Sequence, residues 1–298
     1  MNQYAVRRLG HTTREEPADL GTACLLIDAA LTAGTAESDE AIDALVTTGH
    51  QQLDALAAQV PPHGSDVGRL SAALGSFHGA PADYRSLESS LLPRVLERRR
   101  GLPILLSVVW LEVARRADIA ASGIALPGHF VVAVGSEHEQ SLSADLVAGT
   151  CTIVDPFHHG RVLELDDVLA LARSHGGGAG GDSASGSASG DDETIDAVQL
   201  LEPAPPVDIL HRILRNIRNW ADRPERWSTA LGACDLGLAL SRFPIDLERD
   251  RAELLARTGR FVEASTAYAL FADHAEHDNP EAADRARVLG RLARARLN

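Results

Sequence analysis

The stretch Arg98-Arg-Arg-Gly-Leu-Pro-Ile-Leu-Leu-Ser-Val-Val-Trp-Leu-Glu-Val-Ala114 decides how the rest of the chain is read. Gly101 suits the position just past a helix end, and Pro103 suits the first turn of the next helix, where its missing N–H would have had no partner anyway. From Pro103 to about Ala117 the side chains are apolar nearly all round: Ile104, Leu105, Leu106, Val108, Val109, Trp110, Leu111 and Val113. A helix of that kind belongs in the middle of a core. The arginines before it read first as a solvated helix end, because cations near the last turn stabilise its exposed carbonyls.

Downstream of this helix the period changes. Leu126-Pro-Gly-His-Phe-Val-Val-Ala-Val134 is a β-branched run opened by a Pro-Gly turn, and Thr150-Cys-Thr-Ile-Val154 is a second strand ending at Asp155-Pro156. Each strand carries one residue suited to proton chemistry, His129 and Asp155. Glu137–Ala148 reads as a variable connection and Leu165–Ala172 as a short helix. Upstream, apolar residues at Leu20, Ala23, Cys24, Ile27, Ala30 and Leu31 follow helical spacing. A second helix is expected from near Ser38 to the Pro61-Pro62 breaker, a third around Val67–Leu74, and helical character again over Leu87–Arg100.

Composition bounds the function. With 298 residues and 45% hydrophobic content the chain can bury one large core or two smaller ones. Its net charge of −14 argues against nucleic acid or an anionic membrane as partner. The 28 basic residues are all arginine, so no lysine is available as a Schiff base or as an acyl-accepting amine in the chain's own cross-linking. Three cysteines, Cys24, Cys151 and Cys234, sit far apart in no CxxC pair, which suggests neither a disulfide framework nor a thiolate zinc site. The N-terminus lacks an apolar signal core and no run is long enough to span a bilayer, so the expected compartment is the cytoplasm.

Ser174–Asp192 is dominated by Gly, Ser, Ala and Asp and reads as a flexible insertion. Ala197-Val-Gln-Leu-Leu201 is expected to add one more core strand before Pro203–Pro206 marks a border. The remainder is helical and repeats: Trp227 and Phe261, Ala230 and Ala264, and Cys234 and Tyr268 are each 34 residues apart, the period of a tetratricopeptide helix pair. Two such repeats are too few to stand alone.

Asp83-Tyr84, Ser90-Leu-Leu, Arg94-Val-Leu-Glu-Arg-Arg-Arg-Gly-Leu-Pro103, Leu106-Ser107, Leu111-Glu-Val-Ala-Arg115, Leu126-Pro-Gly-His-Phe130, and Asp155-Pro-Phe with Gly160-Arg161 together resemble the bacterial SirB family. The resemblance implies an α+β fold: a transglutaminase-like core of helices and a small antiparallel sheet, followed by an α-helical tetratricopeptide-like region. The expected boundaries are 1–173 for the core with its N-terminal helices, 174–192 for the insertion, 193–204 for the final strand and 205–298 for the helical domain. In the wider superfamily, which shares its layout with papain-like proteases, a Cys opens the core helix while a His and an Asp follow on neighbouring strands. By position His129 matches the His and Asp155 the Asp, but the Cys position falls at Pro103. Ser89 departs from the Asn usual there.

The chemistry needs that Cys, because a thiolate activated by a helix N-terminus and an adjacent imidazole forms the covalent intermediate. Two replacements come to mind. Ser107 is one turn along the same helix, where a buried hydroxyl more often bonds a backbone carbonyl. Cys151 lies roughly 13 Å from Asp155 on ordinary strand rise. His158-His159 raises a metal alternative with His129 and Asp155, but adjacent histidines point different ways and no HxH or HExxH spacing supports it, so no metal or other cofactor is expected. Arg100, Trp110, Phe130 and Phe157 stand beside these motifs as candidate binding residues. The reading is of a non-catalytic protein- or peptide-binding or regulatory module, with a hydrolase or acyltransferase using His129, Asp155 and water or Ser107 as the competing reading.

Overall fold

The computed structural model describes residues 1–16, 18–33, 37–135, 149–176 and 201–296. In chain order the helices are α1 (Gln3–Thr12), α2 (Leu20–Thr32), α3 (Asp39–Ala57), α4 (Asp66–Leu74), α5 (Leu92–Arg98) and α6 (Pro103–Arg116). Four strands follow, β1 (Ala121–Leu126), β2 (His129–Val134), β3 (Thr152–Asp155) and β4 (Arg161–Leu163), then α7 (Leu165–Gly176). The C-terminal helices are α8 (Pro206–Trp220), α9 (Trp227–Ala239), α10 (Asp246–Arg257), α11 (Phe261–Ala275) and α12 (Pro280–Ala295). The fold is mostly helical, with one four-stranded antiparallel sheet in order β1-β2-β3-β4 and an all-helical C-terminal region.

The chain divides into two compact units. One comprises His50–Tyr84 and Arg94–Pro205 and contains the sheet. Its centre is α6, with Pro103 in the first turn and Ile104 to Val109 and Trp110 all buried, as its apolar sequence requires. Every residue of β2 is buried, which fits a strand covered on both faces. On one side α6 packs against β1 and β2; a Cβ on Gly123 would meet both the Phe130 ring and Leu111. On the other, Ile124, Leu126, Val131, Ala133, Cys151, Ile153 and Leu163 form a cluster with Val168 of α7.

Among the described residues three carboxylates are buried in this unit, those of Asp83, Glu112 and Asp155. Glu112 of α6 is 4% exposed and is held by Arg116 one turn on, which also donates to Asp54 at 2.7 Å and contacts His50 Nδ1 at 2.8 Å. A buried carboxylate persists when paired and hydrogen-bonded in this way.

The other unit comprises Met1–Gly49, Arg85–Pro93 and Pro206–Asn298. Here α1 and α2 pack with the C-terminal helices, α1 against α2 and α9. Asn2 and Asp19 cap α1 and α2, each side chain accepting a backbone N–H three residues on. The helix α1 was not expected from the sequence pattern. The core over α10 to α12 is built largely from small side chains, Ala252, Ala264, Ala267, Ala272, Ala275, Ala283 and Ala286 around Leu255, Tyr268 and Phe271, and small residues let helix axes approach closely. Helices α9 and α11 begin 34 residues apart, as do α10 and α12. The paired positions share their burial: Ala230 with Ala264 and Cys234 with Tyr268 are buried, Trp227 with Phe261 half-buried.

Two expectations need adjustment. Leu87–Arg100 is not one helix: a 3-10 turn covers Leu87–Ser90, Leu91 is extended, and α5 starts at Leu92. Pro93 is the reason, since within a continuous helix it has no N–H to donate and its ring would strike the carbonyl four residues back. Of the expected strand at 197–201 only Leu201 is described, as a buried turn residue, while most of the 174–192 insertion and the 137–148 connection lie outside the described residues. What is described just after them is a single antiparallel bridge between Ile124 and Pro203, with Ala204 N–H donating to Gly123 C=O at 2.8 Å.

Candidate functional site

The site forms where β2 begins and β3 ends. Pro127-Gly128 makes the two-residue turn from β1, with Gly128 at φ 65°, and His129 is the first residue after it. The β2 and β3 register pairs Val132 with Val154. One step further along, Asp155 falls opposite Val131, so His129 and Asp155 are diagonal neighbours on one face of the ladder, within reach of long side chains. Their side chains meet: His129 Nε2 lies 3.1 Å from Asp155 Oδ2.

Asp155 is fully buried and His129 nearly so. Both carboxylate oxygens are occupied. Oδ1 accepts the Phe157 N–H at 2.9 Å, capping the short turn Pro156–His158, and Oδ2 is shared between His129 Nε2 and His158 Nδ1, the latter at 2.7 Å. The Asp155 carbonyl accepts the Gly160 N–H at 2.9 Å. Burial alone would push the carboxyl up, but hydrogen bonding and charge from His129, and then from His158, outweigh it and hold Asp155 below its ordinary range.

The two adjacent histidines separate because His159 takes a left-handed backbone at φ 58°. His158 turns in to Asp155 while its side chain stays 56% exposed. His159 turns away to stack on His78 at 4.6 Å between ring centroids, its Nδ1 3.1 Å from Gly75 C=O. Phe157 stands edge-on to both inner rings, at 5.9 Å from His129 and 5.2 Å from His158, and Tyr84 leans on its other side at 6.2 Å.

The core helix supports this turn directly. A Cβ on Gly160 would lie 2.5 Å from Trp110 Cζ2, so the turn after Asp155 rests on the indole of α6. Gly79 plays the same part for Phe157: a Cβ there would sit 1.9 Å from the ring, and its N–H donates to Phe157 C=O at 2.9 Å. Neither glycine can be replaced without moving an aromatic ring.

The remaining sequence candidates are placed as follows. Pro103 is buried in the first turn of α6. Ser107 is fully buried with its Oγ 3.5 Å from Phe130 C=O, a weak bond to β2. Trp110 and Phe130 are core residues whose rings do not reach solvent, and Phe157 is buried but for 8%. Arg100 is half exposed and joins Arg98 around the carboxylate of Asp83, at 3.2 Å and 3.5 Å. Arg99 instead donates to Ser76 Oγ and lies over Phe77. Asp83, 2% exposed and also accepting the Ala80 N–H at 2.8 Å, is thus the organiser of the arginine run, a role its sequence position does not reveal. All three cysteines are buried. Cys151 belongs to the sheet core, and burial pushes the Cys234 thiol up to about 12.

Chemically, the arrangement can hold a charged imidazole or orient a neutral one, and it presents three ligand atoms, from His129, Asp155 and His158, within 4.8 Å of one another. At the base of the helix it presents no thiol.

The family Transglut_core2, Transglutaminase-like superfamily, matches residues 40–215, a span that takes in α6, the sheet and the residues around His129, Asp155 and His158. The chain is 34% identical over 175 residues to a UPF0162 protein of Xylella fastidiosa strain Temecula1, an alignment covering 59% of this chain and 54% of that protein; a second strain, 9a5c, gives the same identity and coverage. A UPF0162 protein of Pseudomonas aeruginosa is 50% identical over 46 residues, 15% of this chain and 17% of that one. The chain therefore spans about half the length of the Xylella relatives it matches. No solved structure matches. Among the described residues no helix is long and apolar enough to cross a membrane. With the family match covering more than half of its length, the chain belongs to the transglutaminase-like superfamily.

Proposed function

We propose that this chain is a SirB-type member of the superfamily that has left thiol acyl transfer behind and serves as a protein- or peptide-binding module. The observation that carries the reading is the start of α6, where Pro103 stands in the first turn and offers no nucleophile. A covalent mechanism without its nucleophile has no intermediate. Neither substitute is suited to the part: Ser107 is sealed and directed at a backbone carbonyl, and Cys151 is packed in the sheet core.

The binding half of the proposal draws on the helical region. A cavity of about 430 Å³ opens there among α8, α9 and α10, lined by Arg215, Arg218, Trp227, Asp250, Glu253 and Arg257. The Arg257 guanidinium lies over the Trp227 ring at 5.7 Å. Mixed charge around one aromatic suits a peptide segment with groups of both signs.

The test is turnover of a peptide and amide library by purified protein, with hydrolysis and transamidation both monitored. No product above the blank is expected, alongside measurable binding of some library peptides that weakens in Trp227→Ala. Product formation that disappears in His129→Ala overturns the reading. The competing hydrolase reading draws on the 3.1 Å contact between His129 and Asp155. It requires ester or amide hydrolysis lost in His129→Ala, and loss in Ser107→Ala as well would name the hydroxyl rather than water as nucleophile.

A further inference from the structure

We infer that His129, Asp155 and His158 form a three-ligand site for a divalent transition-metal ion of the zinc type, with a fourth coordination position on the solvent side of His158. The inference stands apart from the binding reading above: a peptide module needs no metal, and a metal site can exist whether or not peptides bind.

The donor set is the first argument. Two imidazole nitrogens and one carboxylate oxygen suit zinc and its neighbours, whereas magnesium and calcium take oxygen ligands almost alone. Geometry is the second. Zinc bonds of roughly 2.0–2.2 Å in a tetrahedral arrangement place neighbouring ligand atoms about 3.3 Å apart. His129 Nε2 and Asp155 Oδ2 are 3.1 Å apart, His158 Nδ1 and the same oxygen 2.7 Å, and no two of the three ligand atoms are more than 4.8 Å apart. His158 is the exposed member of the three, so its ring has the most room to adjust.

Support around the ligands is the third argument. Metal-binding carboxylates are themselves hydrogen-bonded, which fixes the oxygen they present. Asp155 Oδ1 is held by the Phe157 N–H, leaving Oδ2 as the single oxygen aimed at both rings. Phe157 walls the two imidazoles edge-on. Binding requires each ring to present a lone pair from the nitrogen that faces Oδ2, so a hydrogen carried there passes to the ring's other nitrogen or to solvent as the metal binds.

The experiment uses the full chain, stripped with a chelator and dialysed, then titrated with Zn²⁺ by calorimetry and with Co²⁺ by visible absorption. The expected result is one equivalent of Zn²⁺ bound and a four-coordinate Co²⁺ spectrum. His158→Ala should weaken binding by more than ~10-fold, the lower end of what losing even an outer-shell partner does. His63→Ala is the control, because that histidine is exposed and lies outside the cluster of ligand atoms; it should bind as wild type does. Circular dichroism of both variants excludes unfolding as the cause. No stoichiometric binding by the wild type, unchanged binding by His158→Ala, or equal loss in the two variants would each overturn the inference, the last by exposing an adventitious surface-histidine effect.

Discussion

Replacing Asp155 tests how the site is held together. In Asp155→Ala the Phe157 N–H, which donates to Oδ1 at 2.9 Å in a buried turn, loses its acceptor, and an orphaned buried donor costs about 1–3 kcal/mol. His129, 5% exposed at its side chain, loses the carboxylate at 3.1 Å, while the exposed His158 adds little because solvent screens it. Breaking a buried charged pair costs about 3–5 kcal/mol, and the whole effect should fall there. Asp155→Asn keeps an oxygen for the Phe157 N–H and loses only the charge, so about 1–2 kcal/mol is expected. The assay is hydrogen exchange at the Phe157 and Gly160 amides together with urea unfolding. The Phe157 amide should exchange much faster in the Ala variant and nearly normally in the Asn variant. Equal effects of the two substitutions would refute the division between capping and charge. The pH dependence follows from the direction of the shift. The folded carboxyl titrates below its ordinary value of 3.8, so its stabilisation is complete above that value and is lost as pH falls through the lower folded value. Wild type and Asp155→Asn should therefore differ at pH 7 and at pH 5 and converge under strong acid.

Gly79→Ala places a Cβ 1.9 Å from the Phe157 ring and should destabilise by about 1–3 kcal/mol in chemical unfolding, with Phe157 displaced in its aromatic resonances. Glu112→Ala leaves Arg116, 11% exposed at its side chain, with one carboxylate fewer, and a loss of about 3 kcal/mol is expected from thermal and urea unfolding together. Ser107→Ala removes only a 3.5 Å contact to Phe130 C=O, so a stability change under about 1 kcal/mol is expected; a loss above about 2 would show a stronger bond than the geometry allows.

The alternation and apolar runs made the central helix, the strands β2 and β3 and the C-terminal helices legible, because each is set by local period. His129 and Asp155 were legible as partners because the Pro-Gly turn and the Asp-Pro terminus fix where their strands start and stop. The role of His158 was not. Its inward turn depends on the left-handed conformation of His159, a single dihedral that neither histidine announces. The arginine run shows the same limit: its partner Asp83 is brought to it by two 3-10 turns and the break at Leu91, none of which has a periodic signature. The N-terminal helix α1 was missed because its sequence is mixed, with arginines at Arg7 and Arg8 among apolar residues, and its burial comes from α2 and α9, remote partners that no local pattern specifies.

The central claim is that no activated thiol exists in this protein, and native alkylation followed by intact-mass measurement tests it most directly. With Cys24, Cys151 and Cys234 all buried and Pro103 at the head of α6, the folded chain should keep its unmodified mass under iodoacetamide near neutral pH, and all three cysteines should react only after unfolding. Rapid modification of one cysteine in the folded protein, reaching full rate well below the pH of an ordinary thiol and slowing in His129→Ala, would contradict the account.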